Sequence, residues 1–236
     1  MAHYLIIAAS SAIGQEIVRE LILQGNTVFT TARDTSKIQP DAVLDATDFD
    51  AVDDVFKQAG TIDGVVNCSG SLLLKSAHMT SKSEYQAVID ASLTTSFATL
   101  RAAGKHMKEG GAVVLISSAA ALTGLANHEA IAAAKAGVIG LVRSAAATYA
   151  HAGLRVNAIA PGMVDTPLTS QLTSSPIMLQ ASIAMHSLGR VGNVRDIANG
   201  VIFLLNPLNN WITGQVLAID GGLSSIHPRA KITNKP

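Results

Sequence analysis

The chain of 236 residues balances 17 Lys+Arg against 17 Asp+Glu, is 48% apolar but only 4% aromatic, and contains one cysteine. Zero net charge leaves no basic footprint for nucleic-acid phosphates or anionic lipid. A single cysteine excludes an internal disulfide framework and a cysteine-only zinc site, and no metal centre is expected. The longest apolar stretches, Ala112–Leu122 and Ala126–Val142, are broken by Ser117 and Ser118 or by Asn127, His128, Glu129 and Lys135. Neither provides the ~18–20 unbroken apolar residues of a membrane-spanning helix. Met1–Leu5 lacks the basic start of a secretory signal, so a cytoplasmic address is the default expectation.

His3–Ala9 reads as a buried strand, and Ile13–Gln24, with Ile13, Ile17, Val18, Leu21 and Ile22 at helical spacing, as a helix closed by Gly25 and Asn26. Strands follow at Thr27–Thr31 and Val43–Leu44, a helix at Phe49–Ala59 and a strand at Gly64–Asn67. The spacing predicts a long helix over Tyr85–Met107, a strand over Ala112–Ser117, a second long helix over Glu129–Tyr149 and a strand over Arg155–Ala160. Asp196–Leu205 is helical and Gln215–Ile219 is the last strand. This alternation predicts a single α/β domain, a doubly wound parallel sheet with helices on both faces, over residues 1–224. The polar, basic stretch 225–236 reads as a frayed tail. In such a sheet ligands bind beyond the carboxyl ends of the strands, so the residues just after each strand are the candidates for chemistry.

Between the first strand and first helix stands Ile7-Ala8-Ala9-Ser10-Ser11-Ala12-Ile13-Gly14. Small residues let the backbone approach a ligand, and amides at a helix N-terminus attract phosphate. An ordinary tight turn of small residues reads the same way. With the later segments, this turn resembles the TGxxxGxG turn of the short-chain dehydrogenase/reductase family, with Ala8 and Ala12 in place of two glycines and Gly14 kept. Asp45-Ala46, Asn67-Cys68-Ser69-Gly70, the segment Pro161-Gly162-Met163-Val164-Asp165-Thr166-Pro167, Leu188-Gly189-Arg190 and Asp220-Gly221-Gly222 resemble further family signatures in the family's order.

The resemblance implies a Rossmann-like three-layer sandwich and a nicotinamide dinucleotide bound by Ala8, Ser10, Ser11, Ile13, Gly14, Arg33, Asp45, Ala46, Asn67, Cys68, Ser69, Gly70, Lys135, Pro161, Gly162, Val164 and Thr166. Arg33, after the second strand, could pair with a 2′-phosphate and favours NADP(H); Asp34 keeps NAD(H) open. The resemblance further implies hydride transfer on a small carbonyl, alcohol or enoyl substrate in a homo-oligomer, a tetramer or dimer, with Ser118 and Lys135 at the catalytic serine and lysine positions. The family's tyrosine, four residues before the lysine, corresponds here to Ile131, and its asparagine to Ser92. An isoleucine exchanges no proton. His128, seven before Lys135, is the candidate replacement donor, with a plain helix-start role as the alternative. The two functional expectations are an oxidoreductase with an atypical proton donor and a non-catalytic nucleotide-binding or scaffold protein.

Overall fold

Seven strands pair in parallel in the order β3-β2-β1-β4-β5-β6-β7 in the computed structural model, which describes residues 1–227. They are β1 (His3–Ile7), β2 (Thr27–Ala32), β3 (Ala42–Val43), β4 (Gly64–Asn67), β5 (Gly111–Ile116), β6 (Leu154–Pro161) and β7 (Val216–Ile219). Strand periodicity explains how one sheet supports two cores. Leu5, Ile7, Val65, Val113, Leu115 and Val156 face α2 (Phe49–Ala59), α4 (Thr95–His106) and α5 (Glu129–Tyr149), meeting Val52, Phe56, Ala98, Ala102, Val138 and Val142. Their neighbours Tyr4, Ile6, Val66, Val114 and Ile159 point the other way and meet Ile17 and Leu21 of α1 (Ala12–Leu23) and Ile197, Val201 and Leu204 of α8 (Val194–Leu205). Each such side chain, fully buried, contributes roughly 1.5–3 kcal/mol. The expected α/β doubly wound architecture is therefore present, and its strand order reverses between β1 and β4.

Several boundaries differ from the sequence reading for local reasons. β1 stops at Ile7 because Ala8 turns into the left-handed region at φ 58°. The first long helix begins early, at Lys82, where Ser81 and Glu84 cap each other reciprocally. It runs as α3 (Lys82–Ile89), one wide π turn (Asp90–Thr94) and then α4. The stretch 165–183, to which the sequence reading assigns no helix, contains α6 (Ser170–Thr173) and most of α7 (Pro176–Met185). α5 with its following turn, Glu129–Ala152, is long and apolar enough to cross a membrane by length and composition. Here Ala134, Val138 and Val142 are fully buried, Val138 and Val142 within the sheet core, as in a core helix. Of the tail read at 225–236, residues 228–236 lie outside the described residues.

Candidate active site

In a doubly wound sheet ligands bind beyond the carboxyl ends of the strands where the order reverses, here between β1 and β4, and the turn after β1 lies at that point. Ser11 is the N-cap of α1, its Oγ accepting the Gly14 N–H at 3.0 Å. No carbonyl within α1 serves its first amides, including those of Ala12 and Ile13, so the helix start presents donors to an anion. Gly14 is required for packing, since a Cβ there would lie 2.9 Å from the Ala8 carbonyl oxygen and from Ala9 Cα. Ala8 holds at φ 58° the left-handed conformation that glycine adopts without strain.

After β2, Arg33 is exposed. The Asp34 carboxylate turns back on its own loop, accepting the Ser36 N–H at 2.9 Å and Oγ–H at 2.6 Å, which lowers its pKa. Asp45 does the same with the Thr47 N–H and hydroxyl, and its pKa is likewise held down. Ala46 beside it is buried. The short stretch between β2 and β3 holds no helix.

Beyond β4, buried Asn67 shapes the turn: its Nδ2 donates to Thr99 Oγ1 at 2.9 Å and its Oδ1 accepts the Ser69 N–H at 2.8 Å. Cys68 lies near Ser11 and Lys135, and burial pushes its thiol up to about 12. It is a packing residue rather than a thiolate.

Lys135 is 5% exposed, and its Nζ donates to the Ile116 carbonyl at the end of β5, at 2.8 Å. A Cβ on Gly70 would sit 3.5 Å from that Nζ, so the ammonium occupies the gap between the ends of β4 and β5. Burial lowers its pKa to about 8. α5 is fixed to β5 by Ser117, whose Oγ donates to the Lys135 carbonyl at 2.9 Å. Ser118 follows in extended backbone, its Oγ accepting the Ala120 N–H at 3.1 Å. That bond uses a lone pair and leaves the hydroxyl hydrogen free for another acceptor. Ser118 and the Lys135 ammonium thus both lie at the carboxyl end of β5.

Three other positions singled out in the sequence lie differently. His128 is not inside the helix: it is the N-cap position of α5, with Nδ1 2.7 Å from the Ala126 carbonyl oxygen. A carbonyl only accepts, so Nδ1 carries a hydrogen and Nε2 is the free ring atom. Ile131 is 4% exposed in a small apolar cluster with Val88, Ala130 and Ala134, against Leu73 and Ile89. Ser92 sits in the wide turn between α3 and α4, fully buried.

Beyond β6 the backbone is pinned from several sides. Gly162 N–H reaches Ile219 O at 3.1 Å, Met163 O accepts from Gly192 N–H at 2.8 Å, and Val164 O accepts from the Thr169 hydroxyl at 2.5 Å. Among the described residues nothing accepts the Val164 N–H. Thr166 opens the following turn, paired with Thr169. The three buried hydroxyls without partners among the described residues are Thr31 at the end of β2, Ser71 just after β4, and Ser92. Such orphans need an explanation, and two of them lie at the carboxyl ends of strands. Open amides at the start of α1, a free Val164 N–H and these hydroxyls fit a polar, phosphate-bearing ligand. A cavity of about 650 Å³ lined by Tyr4, Arg155 and Trp211 lies at the opposite, amino end of the strands, far from this chemistry.

One buried group escaped the sequence reading: His186, at the C-cap of α7, whose ring contacts the Pro161–Met163 segment. Its only sequence signal is a histidine between apolar Ala184-Met185 and the Leu188-Gly189-Arg190 segment.

The family model described as enoyl-(acyl carrier protein) reductase matches residues 7–224. The chain is 36% identical over 190 residues to cis-4-hydroxycyclohexanecarboxylate dehydrogenase of Sinomonas cyclohexanicum, covering 77% of this chain and 75% of the relative. It is 31% identical to the 3-oxoacyl-[acyl-carrier-protein] reductase FabG of Vibrio harveyi, covering 93% of this chain and 96% of the relative. Among solved structures, ElxO with NADP bound superposes with TM-score 0.87 at 30% identity, covering 96% of this chain and all of the other. The match runs from the first strand through the closing segments, and the chain belongs to the short-chain dehydrogenase/reductase family of oxidoreductases.

Proposed function

We propose that the protein is an NADP(H)-dependent oxidoreductase interconverting a small ketone and secondary alcohol, or reducing an enoyl group. What supports this reading is that Ser118 and the Lys135 ammonium lie at the carboxyl end of β5 and the free Val164 N–H just beyond the end of its neighbour β6. The relatives' names, a hydroxycyclohexanecarboxylate dehydrogenase and a 3-oxoacyl reductase, support an oxo–hydroxy pair as substrate. When bound, the nicotinamide supplies or accepts the hydride. The start of α1 (Ser10, Ser11, Ile13, Gly14) and Ala8 would face the pyrophosphate, and Asp45, Ala46 and the Asn67–Gly70 turn the adenosine side and the ribose. Val164 N–H and the Pro161–Thr166 backbone would hold the carboxamide. Arg33 supports NADP(H) over NAD(H), because the neighbouring Asp34 spends its carboxylate on Ser36.

Ser118 donates its free hydroxyl hydrogen to the substrate oxygen and polarises it. Lys135, an ammonium below about pH 8, stabilises charge developing there. The proton reaches the oxygen from His128 Nε2, which can donate only in the imidazolium form because Nδ1 is already committed to Ala126. Ile131 stands where the family resemblance implies a tyrosine, and its apolar packing favours a second reading, a nucleotide-binding protein without turnover. A homo-oligomer is supported by two exposed apolar surfaces. One lies along α4 and α5, lined by Phe97, Leu93 and Leu141; the other comprises Phe203, Leu208, Trp211 and Leu217 near edge strand β7. A cytoplasmic site of action completes the reading.

The test is NADPH consumption with cyclic ketones, 3-oxoacyl and 2-enoyl thioesters, alongside calorimetric titration of NADPH and NADH. Turnover reduced at least about 100-fold by Ser118→Ala and by Lys135→Ala supports the enzyme. Turnover unaffected by both refutes it, and tight NADPH binding without turnover selects the second reading.

A further inference from the structure

Met163 is where β6 leaves the sheet. Gly162 N–H still continues the ladder to Ile219 O, but the Met163 N–H meets no strand and ends 3.1 Å from His186 Nε2. Nδ1 of the same ring lies 2.6 Å from the carbonyl of Ser182, in the last turn of α7. An N–H only donates and a carbonyl only accepts, so the two partners fix one form of the ring: hydrogen on Nδ1, lone pair on Nε2. The ring is 3% exposed and bridges two elements remote in sequence. Gly162 makes the approach possible, since a Cβ there would fall 2.7 Å from His186 Nε2 and 2.9 Å from Asp220 Cα. The next two peptide units are held by Gly192, which donates to Met163 O and accepts from Asp165 N–H. With residues 163 and 165 both fixed, the Val164 N–H between them is the donor left over. α7 is otherwise lightly held: Ile177, Met178 and Met185 are exposed and Ser182 is its buried residue.

We infer that His186 is a positioning residue that fastens the Met163 peptide to the end of α7, so that the orientation of the Val164 N–H and the placement of α7 depend on each other. The inference rests on the reading that Val164 contacts the nicotinamide carboxamide. A residue acting only as filler at this place needs bulk; a fastener needs a donor near the chain and an acceptor farther out.

Two amide substitutions separate these demands. The His186→Gln side chain reaches to the level of Nε2, where its Oε1 can accept from Met163. The His186→Asn side chain reaches only to the level of Nδ1. NADPH affinity is expected to stay within about threefold of the parent in His186→Gln and to fall about tenfold in His186→Asn, the order expected when one buried N–H loses its acceptor. In the cofactor-free protein, solvent exchange of the Met163 amide should accelerate about tenfold in His186→Asn and not in His186→Gln. Equal Met163 protection in the parent and in His186→Asn would overturn the inference. Should the parent itself not bind NADPH, the cofactor reading fails, and Met163 exchange still decides the fastening. Should His186→Asn not fold, nitrogen NMR of the parent's ring decides: hydrogen on Nδ1 and not on Nε2 supports the inference, and the opposite tautomer refutes it.

Discussion

Placing a phenol four residues before Lys135, by Ile131→Tyr, probes the site most directly. If Ser118 and Lys135 already frame the reacting oxygen, the new hydroxyl lies one helical turn from the ammonium and supplies an acid that, unlike His128, donates without first becoming an imidazolium. General acid–base help is worth about 10²–10⁴-fold, so kcat for ketone reduction should rise by at least 100-fold. The same substitution has a structural cost. Ile131 is 4% exposed against Leu73, Val88 and Ile89, and a larger ring there overpacks the cluster by about 1–3 kcal/mol. For a chain of this size that lowers Tm by roughly 2–12 °C. Ile131→Phe carries nearly the same bulk without the hydroxyl and should show the same loss in Tm with no gain in rate. Initial rates of NADPH oxidation and thermal melts of the three proteins are the assay. Equal rates for the folded Tyr and Phe variants would refute the placement of Ile131 beside the reacting oxygen.

Burial lowers the Lys135 pKa from 10.5 to about 8, so the folded state holds fewer protons than the unfolded one between those values and stability rises with pH across that window. Lys135→Met should remove that rise, stabilise the protein at pH 7 by up to roughly 3 kcal/mol, and reduce turnover; denaturant melts from pH 7 to 11 check the sign. Ala8→Gly relieves a left-handed alanine at about 1–2 kcal/mol but loosens the unfolded chain by about 0.4–1 kcal/mol. Its net stability change should be small and positive and its NADPH binding tighter; weaker binding would contradict a pyrophosphate at this turn. Arg33→Ala should weaken NADPH by about 10–100-fold and leave NADH unchanged, as calorimetry would show, because it removes a charge-assisted contact to the 2′-phosphate only.

The alternation of apolar strands and amphipathic helices determined the layer architecture, because burial on both faces of a parallel sheet leaves a direct mark on side-chain periodicity. Motif order then pointed to the strand ends, and a single cysteine excluded an internal disulfide. Other features had no local mark. Ala8 stands where the resembled turn has glycine, but only the end of β1 showed it held at positive φ. The run Pro176–Met185 is apolar nearly all round and carries no helical stripe, so its helix went unread. His128 could be placed before Lys135 in sequence, but only the start of α5 at Glu129 showed its Nδ1 committed to Ala126. His186 lies 23 residues from Met163, and nothing in the chain between them announces the contact. Spacing along one helix or strand is written in the sequence because backbone geometry fixes it. Contacts between elements, and the desolvation that lowers the Lys135 pKa, exist only once the sheet brings distant segments together.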